Sequence, residues 1–233
     1  MKTLPVKNCF FSRLNVVLRW LFTVCCCLFA GSLISCKNNV RYTDYVSELR
    51  GNIFLAQTDE LSLKIYAVTK EIPYVADGVP KERSTRTEVH LTAPSGDKEY
   101  TLSFEADGKT YGGEMSFDNV KAEYYFSCTL DVSALREIRC ELACDETTTE
   151  LTAKSVLTPT TLSAENVLNN VRIEEKELFS SLTDQYGFAG EIYIRLLYEE
   201  APYYYVGITD RNGKTSAFLV NAETGKILAK RQS

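Results

Sequence analysis

Between Asp44 and Leu157, short apolar runs alternate with polar positions and are broken every eight to twelve residues by turn formers, the pattern of strands that bury one face in an antiparallel sandwich or barrel. Strands are expected at about 44–56, 60–69, 85–92, 98–106, 110–117, 122–130, 136–144 and 149–157. Two turns are strongly marked. One is Pro94-Ser95-Gly96-Asp97; the other is Asp107-Gly108, where glycine supplies the positive φ that a tight hairpin needs. Pro73 to Ser84 reads as a longer exposed loop of the kind that often carries binding residues.

The alternation stops at Thr158-Pro159-Thr160-Thr161, since proline cannot continue a central strand. Ser163 then stands as an N-cap with Glu165 in the first turn. Val167, Leu168, Val171, Leu178, Phe179 and Leu182 follow at helical spacing, with a break expected near Ile173 where Glu174 and Glu175 interrupt the stripe. After Gly187 strands return at 191–199, 203–209, 214–220 and 226–229, and Asn212-Gly213 predicts a type I′ hairpin. The expected architecture is therefore mainly β: an N-terminal antiparallel β-sandwich of immunoglobulin-like type over 44–157, a linker at 158–162, and a small α+β module of helix plus antiparallel meander over 163–233.

The C-terminal order of helix and strands, with Tyr203-Tyr204-Tyr205-Val206-Gly207-Ile208, Asn212-Gly213-Lys214 and Val220-Asn221-Ala222-Glu223-Thr224-Gly225-Lys226-Ile227, resembles the PepSY family of small extracytoplasmic modules. Those modules close on a V-D-A-x-T-G-x-I/V turn; here Asn221 replaces the usual Asp, and the helix lacks the family's Ala-rich face. PepSY modules resemble inhibitory or regulatory domains of secreted peptidases, so the likeness implies binding rather than catalysis.

At the other end, Lys2, Lys7, Arg13 and Arg19 precede an unbroken run of apolar and small residues from Trp20 to Ile34, and no acidic residue occurs before Asp44. A positive stretch before an apolar run of about 15 residues, too short to span a bilayer, reads as a secretory signal. The run closes on Leu33-Ile34-Ser35-Cys36, which resembles the lipobox of bacterial lipoproteins. That resemblance implies a leader over 1–35, acylation of Cys36, a polar tether over 36–43 and a lipid-anchored position on the extracytoplasmic face of a cell membrane. Loss of the leader leaves 22 basic against 31 acidic residues, a net of −9. Such a body is repelled by anionic headgroups, so acyl chains rather than a basic face supply the attachment. The same balance makes nucleic acid a poor partner.

Three cysteines remain beyond Cys36: Cys128, Cys140 and Cys144. Cys140 and Cys144 lie too far apart along one strand to bond, whereas Cys128 and Cys140 would face each other if 122–130 and 136–144 paired as a hairpin. Three buried thiols acting as small apolar side chains is the favoured alternative. With one histidine, no CxxC and no nucleophile motif, no metal and no cofactor are expected, and His90 reads as an exposed strand residue. Tyr193, Tyr198, Tyr203 and Tyr205 are the candidate binding residues. A single helix cannot bury rings on both faces of their strands, and tyrosine gives stiff amphipathic contact area suited to a protein or peptide partner near the membrane. The competing reading is a cell-envelope hydrolase that uses a carboxylate pair drawn from Glu174, Glu175, Glu177, Glu199 and Glu200.

Overall fold

A computed structural model describes residues 40–232; the leader, Cys36 and the first half of the expected tether lie outside the described residues. The chain enters through one 3-10 turn, Tyr42–Tyr45, and runs into β1 (Val46–Gln57), β2 (Ser62–Glu71), β3 (Arg83–Thr92), β4 (Tyr100–Ala106), β5 (Lys109–Glu114), β6 (Ser116–Asp118), β7 (Glu123–Cys128), β8 (Glu137–Cys144) and β9 (Thr147–Ser155). The helices α1 (Ala164–Glu174) and α2 (Lys176–Ser181) follow, then the short pair β10 (Thr183–Asp184) and β11 (Gly187–Phe188). The chain ends in a meander of β12 (Gly190–Tyr198), β13 (Pro202–Asp210), β14 (Thr215–Asn221) and β15 (Ile227–Gln232). The protein is mainly β, largely antiparallel, with a small helical part, as the alternation predicts.

One long sheet runs β15-β14-β13-β12-β1-β2-β3-β7-β6, and a second layer, β5-β4-β8-β9, joins it through β9 and β1. β1 is the shared strand. Its first half pairs parallel with β12, Val46 opposite Ile192 and Leu49 opposite Ile194, while further along Phe54 and Leu55 pair antiparallel with Ser155 and Lys154 of β9. Two cores result. The first gathers Phe54, Leu63, Ile65, Val89, Leu91, Leu102, Phe104, Ile138 and Leu142 between the layers. The second packs Val167, Leu168 and Val171 of α1 and Phe179 of α2 on Ile192, Ile194, Leu196, Val206, Phe218 and Val220, with Val46 and Ile53 contributed by β1.

Local chemistry accounts for the element ends. Ser163 caps α1 by accepting the Asn166 N–H, and the break falls at Glu175, one turn after the buried face ends. Asp107 and Gly108 both take positive φ and join β4 to β5 in two residues. The β13–β14 connection departs from the type I′ expectation: only Gly213 has positive φ, and the Asp210 carboxylate accepts the N–H groups of Asn212 and Lys214, which builds a longer turn. In the last turn Asn221 accepts from the N–H groups of Glu223 and Thr224, as an aspartate would. Gly225 must stay glycine there, because its φ is +70° and a Cβ would meet the Asn170 amide of α1 at 2.0 Å.

The hairpin that would have faced Cys128 to Cys140 does not form. β7 pairs with β3 and β6, whereas β8 lies in the other layer between β4 and β9; the connection between them crosses the first core and leaves Leu130 and Val132 buried in it. All three thiols are free, and burial pushes that of Cys140 up to about 12. The tether differs too, since Val40 and Tyr42 pack on the second core, with the Tyr42 ring edge-on to Phe179 and Phe188 at 4.9 and 5.3 Å.

Candidate functional site

Strand alternation decides what each tyrosine can do. The even positions of β12 and β13 face α1 and α2, which buries Tyr204 in the second core. The odd positions form the opposite face, where no helix among the described residues packs. Tyr193 and Tyr205 stack there with ring centroids 5.9 Å apart, and Tyr203, Tyr205, Leu197 and Leu219 stay half-buried. Tyr193 itself is buried. Gly207 sits opposite it in the ladder, and a Cβ there would fall 2.1 Å from the Tyr193 ring. Tyr198 is not part of this face: it lies at the far end of β12, exposed, beside a 290 Å³ cleft that it lines with Val156, Pro202 and Glu223.

The same face continues across β1. A bulge at Ser47 lets two β1 residues advance against one of β12, so that Ser47 and Glu48 both reach it. Glu48 takes a two-point ion pair from Arg195, Nε to Oε1 at 2.9 Å and an outer nitrogen to Oε2 at 2.5 Å. Burial alone would lower the Arg195 pKa, but the bonded Glu48 carboxylate more than offsets it and holds the guanidinium charged. Arg195 also lies 5.3 Å from the Tyr193 ring centroid. Next in the row, Arg50 covers Tyr66 at 4.2 Å, Tyr66 meets His90 edge-on at 5.2 Å, and His90 meets Tyr125 at 5.1 Å. His90 is thus not an exposed strand residue; it is half-buried and its Nδ1 lies 2.8 Å from the Glu123 carboxylate. A band of rings and ion pairs therefore runs from β13 to β7 over one face of the long sheet, and sequence reasoning found only its Tyr193–Tyr205 end. The remainder is carried by one or two residues on each of five strands, with no local pattern to mark them.

Loop 72–82 is exposed at most of its positions, as expected, and it also roofs the start of β12. Gly78 donates its N–H to Oε2 of the fully buried Glu191 at 2.8 Å, while Ser47 donates its hydroxyl to Oε1. Glu71, 1% exposed, accepts the Lys81 N–H through one oxygen and leaves the other unpartnered. Burial raises its pKa; the Lys81 bond opposes that and the Glu191 charge adds to it. Tyr74 hangs under the loop toward Arg195, its phenol shifted upward by burial and then by Glu48. The carboxylates considered from sequence are dispersed: Glu174, Glu177, Glu199 and Glu200 are exposed, and Glu175 pairs with Lys230. Among the described residues no group of three or more His, Cys, Asp or Glu could hold a metal ion.

No family model, curated protein or solved structure matches the chain.

Proposed function

We propose that the protein is a bacterial lipoprotein, held on the extracytoplasmic side of a membrane by acyl chains on Cys36, that binds and regulates a membrane-proximal protein partner, a peptidase or envelope complex, without catalysing a reaction itself. The observation that carries the binding role is the band of buried and half-buried tyrosines and charged side chains from Tyr205 to Tyr125, which no helix among the described residues covers. Stiff rings lose little entropy when a partner covers them, and the Arg195–Glu48 pair is already neutralised. The PepSY-like turn at Asn221 and Gly225 supports a regulatory module, and the lipobox-like Leu33-Ile34-Ser35-Cys36 supports the anchor. A carboxylate hydrolase has less behind it, because Glu71 and Glu191, two carboxyls that influence each other near loop 72–82, are both buried.

Photo-crosslinking residues placed at Tyr203 and Leu219 in living cells test the role. The expected result is one adduct from both positions, none from Ser103 on the other layer, and loss of the adduct when Tyr205→Ala is added. Adducts indifferent to Tyr205→Ala would overturn it. Mass spectrometry of the mature N-terminal peptide tests the anchor.

A further inference from the structure

The parallel pairing of β1 with β12 collects several connections at one end of the molecule, the end at which the chain enters. Loop 72–82 joins β2 to β3 there, fixed by the Gly78–Glu191 bond and by Arg83, which donates to the Val46 carbonyl at 2.5 Å. The β13–β14 turn abuts the loop, since a Cβ on Gly78 would touch the Asp210 carbonyl. The β10–β11 hairpin abuts the entering 3-10 turn: Tyr42 bonds Thr183 at 3.3 Å, and Phe188 donates its N–H to the Tyr45 hydroxyl. This end carries half of the chain's exposed large apolar side chains among the described residues, namely Ile72, Val75, Val79 and Tyr186, at 52%, 46%, 47% and 86% exposure.

From these positions we infer that the tips of loop 72–82 and the β10–β11 hairpin rest in the outer leaflet that carries the protein's own anchor, so that the molecule stands on the membrane in one orientation. The inference rests on the acylation of Cys36 proposed above. Val40 is already packed on the second core, so only four peptide steps separate the docked chain from Cys36, at most about 15 Å. A body so closely held presents its entry end to the lipid whatever else it does. The surface there suits the interface. Ile72, Val75 and Val79 are aliphatic, and Tyr186 has a polar tip for the headgroup level. Asp77 pairs with Lys81 at 2.6 Å, Asp184 accepts the Tyr186 N–H and Asp210 those of Asn212 and Lys214, while Asp44 and Glu82 are exposed. Arg41, Lys81, Arg83, Arg211 and Lys214 of the same segments match these acids in number, so this end meets less repulsion at anionic lipid than the acidic body as a whole. With acyl chains supplying the affinity, these four side chains set orientation, and they would hold the aromatic band, which runs across the strands, at a fixed height above the bilayer.

The chain's single tryptophan, Trp20, leaves with the leader, so one introduced tryptophan is a unique reporter. Full-length protein carrying Val75→Trp, Val79→Trp or Tyr186→Trp is processed in a bacterial host and reconstituted in phosphatidylethanolamine–phosphatidylglycerol vesicles with brominated acyl chains. Val120→Trp serves as the control, because Val120 is 95% exposed in the turn beside the opposite end of β3. Emission from the three entry-end reporters is expected to shift to the blue and to be quenched several-fold more than that of Val120→Trp. Acylated protein with all four reporters quenched alike would overturn the inference and leave the lipoprotein reading standing. An unmodified Cys36 in the processed protein would overturn both.

Discussion

At the scale of single residues, the long sheet answers some of its buried charges and leaves others short of partners. Glu48 is answered by Arg195 and Glu191 by two hydrogen bonds, but Glu71 keeps one carboxyl oxygen buried and unpartnered. Burial raises the Glu71 pKa, so the folded protein retains this proton at pH values where the unfolded chain has released it. The stability it contributes is therefore complete below the ordinary carboxyl value and is lost as pH rises through the folded value. Glu71→Gln keeps an acceptor for the Lys81 N–H and removes the titration. The variant is expected to be more stable than wild type near neutral pH, with the difference vanishing below about pH 4; urea midpoints measured across that range would show it, and a constant offset would contradict it.

At the scale of elements, strand positions were legible because each strand of the first core buries alternate residues, and the helix with its Ser163 cap was legible because its stripe recurs at 3.6-residue spacing. Partners were not legible. The parallel contact of β1 with β12 joins residues about 145 positions apart, and nothing near Val46 or Ile192 signals it. The same gap explains why a Cys128–Cys140 bridge stays open in the sequence: it needs 122–130 and 136–144 to pair as neighbours, whereas the chain crosses between layers after β7. It also hides the burial of Glu48 and Glu191, which loop 72–82 and the β1 bulge bring about. Gly207 is a readable trace of such packing. Its φ is not in the positive range, so conformational freedom is no reason for glycine; the reason is the Tyr193 ring that lies against it. Gly207→Ala must displace that ring and with it the Tyr193–Tyr205 stack, at a cost of about 1–3 kcal/mol for overpacking. Thermal unfolding reads the loss, and a weakened near-ultraviolet tyrosine signal in the folded variant would tie it to the stack.

At the scale of the whole molecule, the question is whether two cores mean two folding units. The break at Thr158-Pro159 suggests separable halves, yet β1 places Phe54 in the first core and Val46 and Ile53 in the second, and it bonds to β2, β9 and β12. Unfolding the first core removes β1, which strips the second of its parallel neighbour and two buried side chains. Unfolding the second uncovers the β12 edge of β1. Neither core can be lost without exposing apolar surface in the other, which is the physical condition for a single cooperative transition. Leu102→Ala in the first core and Leu196→Ala in the second should each cost about 2–5 kcal/mol. Each should move one common urea midpoint, with the slope of the transition unchanged and tyrosine fluorescence and far-ultraviolet circular dichroism in coincidence. If Leu196→Ala instead produced an early step that left the first core folded, β1 would be only an edge along which two independent domains touch. The aromatic band, which crosses from β13 over β1 to β7, would then be a surface able to break at its middle.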